Sequence, residues 1–127
     1  MHFYQMFSNI LVLSFLSFAG IGFSAEHTKD SEAEVKKHLA DGTAILLDVR
    51  EISEWKDAHL TSATSLPLSD LKTGKGMEKL PKDKIIYLHC HSGKRVLPAA
   101  DLLKTAGFKD VRPLPWGYPQ LAAMQFQ

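Results

Sequence analysis

Two apolar runs constrain this chain more than any other feature. "AILLDV" (residues 44–49) and "KIIYLHC" (residues 84–90) are each about one strand long, and almost nothing polar interrupts them. A strand that alternates apolar and polar residues hides one face of a sheet. A continuous apolar strand has two faces to hide and needs a helical layer on each side. Helical patterns surround both runs. "DSEAEVKKHLADG" (30–42) opens with Ser31 as N-cap and Glu34 three residues on, the pairing of a capping box. Val35 and Leu39 share one face of it, and Gly42 supplies the left-handed residue on which a helix ends. "RVLPAADLLKTAGF" (95–108) puts Val96, Ala100 and Leu103 on one face and ends at Gly107. Pro98 sits in its first turn, where it removes no intrahelical bond.

The remaining segments are shorter. "EISEWKDAH" (51–59) reads as a short helix with Ile52 and Trp55 turned toward the core, and "ATSLPL" (63–68) as a strand stopped by Pro67. "SDLKTGKGMEKLPKD" (69–83) is broken helix and loop, punctuated by Gly74, Gly76 and Pro81. "DVRPLPWG" (110–117) is a last strand at an edge or a bulge, because Pro113 has no N–H to give a ladder. "YPQLAAMQF" (118–126) closes the chain as a short helix. Strand and helix alternate from residue 44 onward. That order predicts an α/β fold: a mainly parallel sheet, helices on both faces, and right-handed crossovers.

The first 25 residues read differently. Nothing from residue 3 to residue 23 is charged, and "ILVLSFLSFAGIGF" (10–23) is apolar before the polar "EHTKDS" begins. An apolar stretch followed by small residues is the pattern of a secretory signal peptide, cut after Ser24 or after Ala25. The alternative is an uncleaved membrane anchor, since about 20 apolar residues can span a bilayer. Residues 26–127 then form one domain, about the commonest domain size. Fifteen basic and fourteen acidic side chains leave a formal charge of +1. With no basic run to follow a phosphate backbone, no nucleic-acid partner is expected. Nothing in the sequence demands more than a monomer.

The one cysteine lies in "YLHCHSGKRV" (87–96), at the carboxyl end of a buried strand and just before a helix. Ligands gather at that end of a parallel sheet. Thiolate is the nucleophilic form, and an ordinary cysteine, with a pKa of about 8.5, is only about 3% ionised at neutral pH. Three features of the loop favour the anion. The following helix aims its first N–H groups and its dipole at the loop. Gly93 permits a backbone curl with inward amides. Lys94 and Arg95 add positive charge. The same features hold an anionic substrate and the charge growing on its leaving group. An unpaired cysteine so placed reads as a nucleophile and not as core filling.

"LLDVREISEWKDAHLTSATSLPLSDL", "IIYLHCHSGKR" and "LLKTAGFKDVRPLPWG" follow the order and spacing of the rhodanese domain. The chain resembles that family over residues 33–117, and most of all its small single-domain periplasmic members of the phage-shock-protein-E kind. The resemblance implies a thiosulfate sulfurtransferase exported to the periplasm. Cys90 would take the outer sulfur of thiosulfate as a persulfide, release sulfite, and pass the sulfur to cyanide or a thiol. His91, Ser92, Gly93, Lys94 and Arg95 would bind substrate and persulfide, chiefly through backbone amides, with the two cations on thiosulfate. No cofactor or metal is implied, and the partners are a small sulfur donor and a thiophilic acceptor. Some positions depart from the family pattern. Its Gly-His-Ile is Ala58-His59-Leu60, its Pro-Gly-Ala is Thr61-Ser62-Ala63, its Ser after the loop arginine is Val96, and its Gly-Gly is Trp116-Gly117.

The sequence also admits other readings. His89 and His91 flank Cys90 and would point together along an extended strand, but two histidines fall short of a metal site. His59 reads as structural, and Asp48 and Arg50 as a side-chain pair holding the strand end. Trp55 and Trp116 read as packing. A phosphatase or arsenate reductase needs a longer loop than the four residues, His91 to Lys94, between Cys90 and Arg95. A sulfur carrier or non-catalytic binding module is the other alternative.

Overall fold

The computed structural model describes residues 24–126. The predicted leader lies outside the described residues apart from Ser24 and Ala25. In chain order the elements are α1 (Glu32–Ala40), β1 (Ala44–Asp48), α2 (Ile52–Asp57), β2 (Ala63–Ser65), α3 (Leu68–Thr73), a 3-10 turn (Met77–Lys79), β3 (Ile85–His89), α4 (Val96–Thr105), β4 (Val111–Pro113) and α5 (Tyr118–Ala123). The strands form one parallel sheet in the order β2-β1-β3-β4. Leu47 pairs with Leu88 and Asp48 with His89, so the two apolar runs are the central strands.

Each run feeds both faces, as side chains alternate along a strand. Leu47, Val49, Ile86 and Leu88 point to a layer formed by α3 and α4, where Leu71, Val96, Ala99, Ala100 and Leu103 are buried. Leu46 and Tyr87 point the other way, to Val35 of α1 and Leu121 of α5. Fully burying one such Leu or Val contributes about 1.5–3 kcal/mol, so these two layers dominate the stability of the domain. The α1 capping box forms as expected, with Ser31 accepting from the Glu34 amide and Glu34 from the Ser31 amide. A cap of this kind contributes about 1 kcal/mol. β4 is an edge strand, and Pro113 is its last residue.

The expectation for α2 fails. α2 buries no side chain, and Ile52 is 48% exposed. Trp55, only partly buried, stacks on His59 with ring centroids 3.8 Å apart. The helix lies past the carboxyl end of β1, where no sheet face is left to cover, so its apolar residues sit on the rim.

Candidate active site

The loop after β3 curls back on the cysteine. Cys90 is fully buried, and its Sγ accepts the Gly93 N–H at 3.1 Å. Gly93 has φ +82°, and a Cβ there would stand 2.9 Å from the Pro115 carbonyl oxygen. Backbone hand and space both require glycine. The residues expected to bind substrate all lie on this turn: His91, Ser92 and Lys94 are exposed, Gly93 is buried and Arg95 is half-buried. Arg95 is the N-cap of α4 and offers no side-chain cap; no acidic residue stands in the helix's first turn. Leu97 N–H donates to the Lys94 carbonyl and Pro98 has no N–H to give, so this ten-residue helix starts on backbone bonds without a side-chain cap.

Arg95 itself is turned to a carboxylate. Its Nη1 and Nη2 donate to the two oxygens of Glu54 at 2.5 and 2.9 Å. That hydrogen bond draws the Glu54 carboxyl down to about 2 and raises the guanidinium above its ordinary range. Glu54 was not picked out from sequence, and no local pattern could have found it, because the partners are 41 residues apart.

Beneath the loop lies a polar group that the sheet encloses. Arg50 donates from Nε and Nη2 to Asp48 at 2.8–3.1 Å, and Nη2 also reaches the Ala58 carbonyl at 2.8 Å. The expected strand-end pair is therefore formed. Ala58 takes φ −164°, extended backbone open to any residue, which is why alanine serves where the family has glycine. Arg50 also lies over the Tyr118 ring at 4.3 Å. His59 Nδ1 donates to the Trp55 carbonyl at 2.7 Å, a structural role as read from sequence.

His89 and His91 do not point together. β3 ends at His89, so the alternation stops there; His89 is fully buried, and His91 is exposed on the loop. Both ring nitrogens of His89 lack a hydrogen-bond partner, and Nε2 stands 3.6 Å from Asp48. Burial pushes this imidazole below its ordinary pKa, although the Asp48 charge pulls the other way.

The β4–α5 turn forms the other wall. Tyr118 N–H donates to the Cys90 carbonyl at 2.8 Å. A Cβ on Gly117 would fall inside the carbonyl of His91, so the turn fits against the loop only as glycine. The second glycine of the family's Gly-Gly is thus kept where it is needed. Trp116, at the first, packs on the Leu114 and Leu121 side of the core. Val96, in place of the family's serine, is wholly buried.

A parallel sheet covered on both faces, with an enclosed cysteine at a strand's carboxyl end whose sulfur meets a loop amide before a helix, defines the class of α/β domain to which this chain belongs. The chain belongs to the rhodanese-like domain family, whose model matches residues 31–124. Among curated relatives, MoeZ of Mycobacterium tuberculosis, named a probable adenylyltransferase/sulfurtransferase, is 36% identical over 85 residues, covering 66% of this chain and 22% of MoeZ. YrkF of Bacillus subtilis, a candidate sulfur carrier protein by its name, is 39% identical over 80 residues, 63% of this chain and 42% of its own. The thiosulfate:glutathione sulfurtransferase of Homo sapiens is 30% identical over 97 residues, 67% of this chain and 84% of its own. The chain thus spans less than half the length of the first two relatives. The human single-domain sulfurtransferase TSTD1 has the same fold, with a TM-score of 0.65 at 23% identity over 80% of this chain and 99% of its own.

Proposed function

We propose that this chain is a thiosulfate sulfurtransferase. The observation that carries the reading is the Gly93 N–H donated to the enclosed Sγ of Cys90, at the start of α4. The Cys90 thiolate attacks the outer sulfur of thiosulfate. A bond forms from Sγ to that sulfur, the sulfur–sulfur bond of the donor breaks, and the electron pair leaves on sulfite. The product is a cysteine persulfide anion, held by the same amides. Cyanide or a thiolate then attacks the terminal sulfur, and Cys90 leaves again as thiolate.

Each part of the loop has a task in this cycle. Backbone amides of residues 91–95 stabilise charge on sulfur without any side chain that must ionise. Lys94 and Arg95 draw the dianionic donor, and Arg95 shifts part of its bonding from Glu54 to the donor. The enclosure of Cys90 favours a small donor over a bulky one.

The test is intact-mass measurement after thiosulfate treatment. Wild type is expected to gain one sulfur atom on Cys90, lose it to cyanide as thiocyanate, and repeat the cycle; Cys90→Ala is expected to take up none. YrkF's name supports a carrier as the second reading. A protein that takes up sulfur but gives none to cyanide or small thiols, and yields it only to a protein acceptor, would favour the carrier.

A further inference from the structure

Residues 25–30 run across the carboxyl end of the sheet and meet the catalytic loop. Ala25 is buried among the core residues on the α4 side, and its N–H donates to Asp101 of α4 at 2.8 Å. Thr28 N–H donates to the Pro113 carbonyl at 2.7 Å, using an acceptor on the outermost strand. Asp30 accepts from Tyr87 at 2.7 Å and from Arg112 at 2.8 Å. Tyr87 gives its hydrogen to Asp30, so its oxygen is free to accept from His38 Nδ1, 2.8 Å away. Between the anchors at 25 and 28 stands His27, whose Nε2 lies 2.6 Å from the carbonyl oxygen of Gly93. A carbonyl only accepts, so Nε2 carries the hydrogen.

We infer that His27 is a positioning residue for the catalytic loop, acting through the Gly93 carbonyl. Gly93 is the residue whose N–H meets the Cys90 sulfur. Its φ of +82° leaves it free to rotate in ways that a side chain would forbid, and no Cβ steadies it. The carbonyl is therefore the handle available to hold it. A planar trans peptide sets a carbonyl and the next N–H in opposite directions. Holding the Gly93 oxygen thus also fixes the direction of the Lys94 N–H, the next amide of the loop. Because the strap is tied at residues 28 and 30, both retained whichever of the two leader cuts is made, the ring is already ordered, and little further entropy is lost in making the bond.

The inference rests on the sulfurtransferase reading, and the experiment separates the two. The rate of sulfur uptake from thiosulfate is followed by intact mass, with thermal melts in parallel, for wild type, His27→Ala and His27→Gln. Glutamine places an N–H donor the same number of bonds from Cβ. His27 is exposed, so His27→Ala is expected to melt within a few degrees of wild type. Its sulfur uptake is expected to fall about fivefold, and His27→Gln to recover to within about twofold of wild type. If wild type takes up sulfur and His27→Ala matches it, the role of His27 is overturned while the sulfurtransferase reading stands. Glutamine that fails to restore the rate also overturns it. A wild type that takes up no sulfur removes the parent reading, and this one with it.

Discussion

Glu54 and Arg95 show how much one side chain can decide at the mouth of this site. A guanidinium bridged to both oxygens of a carboxylate is well oriented, and it is also partly neutralised before any donor arrives. Both groups are about a third exposed, so water screens their attraction and the pair contributes modestly to stability. Its pH dependence has a definite sign. The Glu54 carboxyl lies near 2 in the folded chain against an ordinary 4.5. The folded state therefore holds fewer protons between those values, and the stabilisation is complete above about 4.5 and lost as pH falls toward 2. Glu54→Gln keeps the shape and removes the charge. Its melting temperature is expected to lie below that of wild type at pH 7, with the gap closing as pH drops from 4.5 toward 2. A gap that stays constant over that range would mean that packing, not charge, holds Glu54.

At the scale of elements, the site is two loops locked together. The turn between β4 and α5 meets the Cys90 loop backbone to backbone, with Gly117 against the His91 carbonyl and Tyr118 N–H on the Cys90 carbonyl. Gly117→Ala must push the loops apart, and overpacking of this kind costs about 1–3 kcal/mol. In a domain of this size each kcal/mol lowers Tm by about 4–8 °C. Melting is expected to fall accordingly, and sulfur uptake by about tenfold or more, because the displaced peptide joins His91 to Ser92 in the loop that bends round Cys90. Unchanged uptake in a destabilised variant would make the contact purely structural. The sequence could not disclose this contact. It did disclose the two central strands, the α1 capping box, the α4 face and the Cys90 loop, because each is written in contiguous residues. Glu54–Arg95, His27–Gly93 and Gly117–His91 join segments distant in the chain, and no spacing rule connects them. α2 misled for another reason. Six residues give under two turns, too few for Ile52 and Trp55 to tell a core face from a rim.

For the molecule as a whole, the polar group enclosed between sheet and loop links fold stability to pH. Asp48 and Arg50 satisfy one another and the Ala58 carbonyl, and removing either would leave a buried charge at a cost of about 3–5 kcal/mol. His89 is different, because neither ring nitrogen has a partner and the ring is wholly enclosed. It folds best as neutral imidazole. Its folded pKa lies below the ordinary 6.5, chiefly through burial, so the unfolded chain takes up a proton first as pH falls. Stability is complete above about 6.5 and declines on the acid side of that value, a window well above the one set by Glu54. His89→Leu removes the titrating group and its orphaned nitrogens at similar volume, a change expected to be close to neutral at pH 7. Urea unfolding at pH 7 and pH 5 is the measurement. Wild type is expected to lose stability between the two, and His89→Leu to lose distinctly less. An equal loss in both proteins would place the acid sensitivity elsewhere. It would also mean that the enclosed imidazole accepts its proton inside the fold as readily as in the unfolded chain, against the cost of charging an unpartnered group in the core.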